Sequence, residues 1–156
     1  MRQRVRLPPP QPTFWYTHPM AKLVIRQYQL SDKEEVFDLH VRALKKEDAY
    51  MYTGTWEKDF EDIEGIYLNN RGEFLVGIKD HKIVAMGSLR KMTDDIVELR
   101  RMRVDPSFQR MGFGQMILDA LEKKARKLGY KIIQLNTSAR QVPAQKFYEK
   151  NGYIPN

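Results

Sequence analysis

Residues 100–115, RRMRVDPSFQRMGFGQ, restrict the fold of this chain more than any other stretch. They pass from an arginine-studded apolar strand pattern through Pro106 and two glycines, Gly112 and Gly114, directly into a long helical pattern. Pro106 ends the strand, because the residue before proline is held extended and proline cannot donate to a β ladder. Glycines cost stability unless the backbone must bend or be approached closely. At a helix start they let successive N–H groups converge beside the positive end of the helix dipole, a nest that suits a phosphate or diphosphate. Arg110 adds a guanidinium, whose geometry matches phosphate oxygens.

The strand before this corner changes phase. Val97 and Leu99 follow one parity, whereas Met102 and Val104 follow the other. A uniform strand cannot put all four on one face, so a β-bulge at Arg100 and Arg101 is expected. A bulge parts the ladder locally and leaves backbone groups available to a ligand.

The rest of the chain supplies alternating strands and helices. KLVIRQY reads as a strand, and Ser31 or Asp32 can cap a helix carrying Val36, Phe37, Leu39, His40 and Leu44. DAYMYTGTW reads as a loop, and WEKDFEDIEGIYLNN as an acidic helix with Phe60, Ile63 and Tyr67 on one face. Two apolar runs meet at Asp80 and His81 as an antiparallel hairpin, with DDIVELRRMRV as a third neighbouring strand. After the glycines, Met116, Ile117, Ala120, Leu121, Ala125 and Leu128 make a helical stripe that Gly129 stops. KIIQLNT is a strand, VPAQKFYEKNG a short helix closed by Gly152, and YIPN the start of a last strand.

With 156 residues, 42% of them apolar and none cysteine, this is one domain, with no disulfide, thiolate nucleophile or cysteine-held zinc. A reducing cytoplasm fits, and no apolar run approaches a membrane span. Residues 1–20 read as a disordered or extended tail, with Pro8, Pro9, Pro10 and Pro12 favouring polyproline geometry. The folded domain is placed at residues 21–156. The net charge is +7, and the tail's Arg2, Arg4 and Arg6 supply three of those charges, which leaves the domain at +4, mildly basic.

A nucleotide P-loop would need Gly-Lys-Ser or Gly-Lys-Thr after the turn, and GFGQM lacks it. A dinucleotide fingerprint would need a third glycine near Ile117 within a parallel unit, and the preceding hairpin speaks against that. Gln109, Gly112 and Gly114 instead resemble the diphosphate loop of the GNAT superfamily of N-acetyltransferases, written Gln or Arg, x, x, Gly, x, Gly or Ala. The resemblance runs from about Lys22 to Tyr153, and AQKFYEKNGY looks like that family's C-terminal motif.

The resemblance implies a mixed α/β (α+β) GNAT fold, a twisted, mostly antiparallel sheet of about six strands flanked by about four helices. It implies acetyl-CoA as co-substrate and a primary amine, of a small molecule or of a protein, as acceptor. The diphosphate would lie on Gln109, Arg110, Met111, Gly112, Phe113, Gly114 and Gln115, and the pantetheine arm along Met102, Arg103 and Val104. Gln141 stands where the family often has a coenzyme-contacting asparagine, and Arg110 where many members have glycine. Tyr148 stands where the family often has a general acid; the alternative is a core aromatic, since Phe147 beside it is expected to face the core. Glu98 resembles a catalytic base of the protein-acetylating branch, or it is an ion-pair partner of the neighbouring arginines.

Two features carry no assigned chemistry. The C-terminal strand is short or missing where the family usually has another, which would leave an unpaired sheet edge: either a partner chain, as in a homodimer, supplies a strand, or the chain is truncated, or the fold closes incompletely. Glu57, Asp59, Glu61, Asp62 and Glu64 lie where the family builds its acceptor pocket, and read most simply as a solvated acidic face. Metal binding by these or by His18, His40 and His81 is not expected. The alternatives in other classes are an acyl-CoA binder without turnover, or a nucleic-acid module using Lys123, Lys124, Arg126, Lys127 and Lys131, which no nucleic-acid motif accompanies.

Overall fold

A computed structural model describes residues 1–7, 23–46, 55–137 and 141–155. Its frame is a seven-stranded sheet: β1 (Arg2–Arg6), β2 (Val24–Gln27), β3 (Glu73–Lys79), β4 (Lys82–Lys91), β5 (Ile96–Val104), β6 (Ile132–Asn136) and β7 (Ile154–Pro155). The spatial order is β2-β3-β4-β5-β6-β1-β7, and every neighbouring pair is antiparallel except β5 with β6. Helices α2 (Phe113–Lys127) and α3 (Val142–Lys150) cover one face; α1 (Lys33–Lys46) and the segment 55–68 cover the other.

Each face buries its own core. On the first, Val97, Leu99, Ile133 and Leu135 of the sheet meet Ile117, Leu118 and Leu121 of α2, the stripe read from the sequence. On the second, Val36 and Leu39 of α1 pack with Phe60, Ile63, Tyr67, Phe74 and Met86. The β3–β4 hairpin turns at Asp80 and His81, both at positive φ (51° and 64°), the left-handed pair that a two-residue hairpin matching the twist of its strands requires.

The expected bulge is present, one residue later than the sequence reading placed it. Ser88 still pairs with Arg100, and Met86 pairs with Arg103, so Gly87 alone stands opposite Arg101 and Met102. Arg101 takes φ 57°, and the inserted residue returns Met102 and Val104 to the face that carries Val97 and Leu99. Gly87 is what makes room: a Cβ there would come within 2.5 Å of Met102 Sδ and 2.8 Å of both Ile117 and Leu121.

Two expectations are corrected. Residues 1–20 are not all tail, because Arg2–Arg6 form β1, paired with β6 on one side and β7 on the other. The β6 edge left for a second copy is therefore filled by the chain's own N-terminal strand. Gln3 and Val5 sit opposite Leu135 and Ile133, and Arg4 donates to Gln134 Oε1 from Nε and Nη2 at 3.2 and 2.9 Å. The proline-rich residues 8–12 and the aromatic loop at 47–54 lie outside the described residues. The expected acidic helix is a 3-10 turn over Thr55–Glu61 followed by a π turn over Glu64–Leu68, although Phe60, Ile63 and Tyr67 do share a buried face.

Candidate active site

The parallel pairing of β5 with β6 covers Ile96–Glu98 against Ile132–Gln134 and stops there. Both strands continue, β5 to Val104 and β6 to Asn136, so beyond Glu98 they diverge and open a cleft of about 290 Å³. Glu98, Met102, Arg103, Val104, Gln109, Gln141 and Tyr148 all line it. A second cleft of about 550 Å³ shares Met102, Arg103, Val104, Gln109, Ala144 and Tyr148 with the first and extends to Arg110, Gly112, Phe113, Gly114 and Gln115. Residues dispersed through fifty positions of sequence thus form one passage, from the start of α2 to the gap in the sheet.

At its outer end, Asp105 caps the short turn Pro106–Phe108 by accepting from Ser107 N at 2.9 Å, and is fixed in turn by Arg42. Arg110 and Gly112 then adopt left-handed backbone, φ 64° and 81°. At that φ Arg110, an L-residue in left-handed backbone, is strained by about 1–2 kcal/mol. A Cβ on Gly112 would meet nothing within 4 Å, so its need for glycine is one of conformation. The first bond into α2 runs from Met116 N to Gly112 O. The N–H groups of Phe113, Gly114 and Gln115 therefore have no acceptor one turn back in their own helix.

Not every residue of the expected loop contributes a side chain. Phe113 is buried in the core against Phe108, and Gln115 exchanges amide hydrogen bonds with Asn151 at 2.8 and 3.1 Å, joining α2 to the end of α3. Met111 is 40% exposed and lines neither cleft. At the start of α3, Gln141 caps the helix through its carbonyl, which accepts from Gln145 N at 3.0 Å.

Tyr148 and Phe147 exchange the parts expected of them. Tyr148 is the buried member, 7% exposed and in ring contact with Tyr153, while Phe147 is half-buried and lines the larger cleft. Tyr148 nonetheless borders both clefts, so core packing and access to the gap coexist. Glu98 lines the gap and lies 3.3 Å from Arg100 Nε, the ion pair that its second reading expects.

The face toward α1 was the less legible one. Alternation around the bulge puts Glu98, Arg100 and Arg103 opposite the α2 core. Asp59, 5% exposed, accepts from Arg101 at 2.6 and 2.9 Å and from the Tyr67 hydroxyl, while the Arg101 guanidinium covers the Phe60 ring. Glu57, 6% exposed, lies 2.9 Å from His40 Nε2, and Arg103 Nε donates to His40 Nδ1 at 3.3 Å. Burial, reinforced by Arg103 and Arg101, pushes the His40 pKa down to about 3. The ring is neutral, with its proton on Nε2 directed at Glu57. Two members of the supposed solvated acidic face are thus internal partners of β5 and α1. The signal for this was present as a basic strand and an acidic segment of matching size; their pairing is a tertiary fact.

Among the described residues no cluster of three or more metal-ligating side chains occurs, and no helix is long and apolar enough to cross a membrane.

The site is thus a sheet splayed between two parallel strands, with the N-terminus of α2 lining the adjoining cleft. The chain belongs to the Acetyltransferase (GNAT) family, whose model matches residues 26–153. It is 33% identical over 97 residues, 61% of its length, to the N-acetylaspartate synthetase of Xenopus tropicalis. The chain spans about a third of the length of that relative (36%). A GNAT-family acetyltransferase from Staphylococcus aureus Mu50 superimposes with a TM-score of 0.78 at 28% identity, over 83% of this chain and 81% of that one. The PaiA N-acetyltransferase of Thermoplasma acidophilum, solved in complex with coenzyme A, has a TM-score of 0.69 at 19% identity over 84% and 89% of the two chains, a likeness of fold.

Proposed function

We propose that this chain is an acetyl-CoA-dependent N-acetyltransferase acting on a primary amine. The continuity of the two clefts through Met102, Val104, Ala144 and Tyr148 carries the reading, because it joins an anion-binding helix start to a gap in the sheet. The diphosphate lies on the backbone N–H groups at Gly112–Gln115 with Arg110 beside it, and Gln141 borders the thioester end. The pantetheine arm follows β5 at Met102–Val104, where its edge has parted from β6. The Thermoplasma neighbour, of the same fold, was solved in complex with coenzyme A, which supports the choice of coenzyme.

The acceptor enters from the α1 face and its neutral amine attacks the thioester carbonyl. A C–N bond forms, the C–S bond breaks, and the products are the amide and coenzyme A thiol. Glu98 takes the proton that the amine gives up, and Tyr148 hands its own to the departing sulfur and regains one from solvent. A phenol with an ordinary pKa of about 10 can protonate a thiolate whose conjugate acid lies near about 8.5 once the two are held together.

Acetyl-CoA is expected to raise the melting temperature in proportion to the logarithm of its concentration, and an amine panel to release free thiol. No thermal shift at millimolar coenzyme would overturn the reading.

A further inference from the structure

We propose that the acceptor is an amine bearing its own carboxylate, of the amino-acid class, and that Arg100 is the residue that selects it. The proposal rests on the gap between β5 and β6 being the acetyl-transfer site. The α1 face of that gap carries Arg100, Arg101 and Arg103 against one lining carboxylate, Glu98. Asp59 neutralises Arg101 from behind, and His40 with Glu57 backs Arg103, so the charge open to an acceptor is the end of the Arg100 guanidinium, which suits an anionic group.

The arginines differ in what holds them. Asp59 grips Arg101 at 2.6 and 2.9 Å, and Arg103 donates to His40 and to the Met102 carbonyl. The nearest approach of Arg100 to Glu98 is from Nε, at 3.3 Å. Its two terminal nitrogens have no hydrogen-bond acceptor among the described residues, and its side chain is 21% exposed at the cleft. Those nitrogens form the fork that takes a carboxylate bidentately.

The Glu98–Arg100 pair also has the right polarity and spacing. An amino acid presents an ammonium and a carboxylate roughly 3 Å apart, one or two carbons between them. Laid against the pair, the carboxylate meets Arg100 while the amine meets Glu98, the group that receives its proton. A desolvated guanidinium left facing an amide or a methyl group would lose that bond, so analogues without the anion are rejected.

The test compares three matched forms of each acceptor with the whole chain and saturating acetyl-CoA: glycine, β-alanine, aspartate and glutamate; their fully amidated forms; and the amines left when every carboxylate is removed, methylamine, ethylamine and propylamine. Thiol release should favour at least one free acid over its own amide by about 30-fold or more in kcat/KM. Arg100→Gln should erase most of that preference while leaving the KM for acetyl-CoA within about twofold, and Arg100→Lys should restore part of it. The amides stand for the N-terminus of a polypeptide, so equal or better turnover of the amides overturns the proposal in favour of a peptide acceptor. Preference for the decarboxylated amines overturns it in favour of a simple cation. Turnover of none of them, with the acetyl-CoA melting shift intact, overturns this proposal and leaves the coenzyme reading standing; loss of that shift overturns both.

Discussion

Asp59 and Arg101 close a doubly bonded ion pair, at 2.6 and 2.9 Å, between the acidic segment and the bulge of β5. Arg101 is the left-handed residue of that bulge, so the pair holds the strand in the conformation that parts it from β6. Both side chains are nearly inaccessible, 9% and 4% exposed. Removing one partner from such a pair leaves an uncompensated buried charge, a loss of about 3–5 kcal/mol. Asp59→Ala should therefore lose stability on that scale in urea denaturation. A loss under about 1 kcal/mol would show that the pair is not the anchor of the bulge.

The proposed mechanism gives Glu98 the proton that leaves the amine and Tyr148 the proton that reaches the sulfur. Tyr148→Phe should lower kcat by about 10²-fold or more while leaving coenzyme affinity unchanged. Glu98→Gln should remove the acid limb of the pH–rate profile. Full activity of the phenylalanine variant would reduce Tyr148 to a core aromatic, and an unaltered profile would give the base role to water.

Arg110 combines strain with charge. Replacing it by glycine should relieve about 1 kcal/mol of left-handed strain in the free protein, yet weaken coenzyme binding by roughly tenfold through the lost guanidinium. Melting curves with and without acetyl-CoA separate the two: the free protein melts higher, and the ligand-induced shift shrinks. An undiminished shift would mean that the backbone alone holds the diphosphate.

His40 makes the fold acid-sensitive. Its folded pKa of about 3 lies below the unfolded value near about 6.5, so within that window the unfolded chain binds a proton that the folded one refuses. Stability must fall as the pH drops from about 6.5 toward 3, by at most about 1.4 kcal/mol per pH unit from this residue. Asp32 adds to the fall at lower pH, because its bond to Arg26 holds it below the usual carboxylate range and is lost on protonation. Urea midpoints from pH 7 to pH 4 should decline less steeply in His40→Asn than in the native chain; parallel slopes would contradict the neutral, buried histidine.

Gln3 is wholly buried in β1, and neither polar atom of its side-chain amide has a hydrogen-bond partner among the described residues. Gln3→Leu should therefore stabilise the protein by about 1–2 kcal/mol in thermal melts. Deleting residues 1–7 should do the opposite, uncovering the edge of β6 beside Ile133 and Leu135 and promoting association. Unchanged melting after the deletion would show that β1 is not part of the sheet in solution.

The sequence by itself determined the local grammar. Pro106 stops a strand, Gly112 and Gly114 open a helix, the parity change from Leu99 to Met102 demands a bulge, and Gly129 and Gly152 close two helices, each at φ 88°. These are constraints among near neighbours, fixed by sterics and by the repeat of each element. Only the tertiary structure decided which distant groups meet. It laid Arg2–Arg6 between β6 and β7, buried Glu57 and Asp59 against His40 and Arg101, and made Tyr148 rather than Phe147 the core residue. The reason is that a charge or an edge carries no address in sequence: its partner is whichever complementary group the packed layers bring within a few ångströms, and that is settled by the whole chain at once.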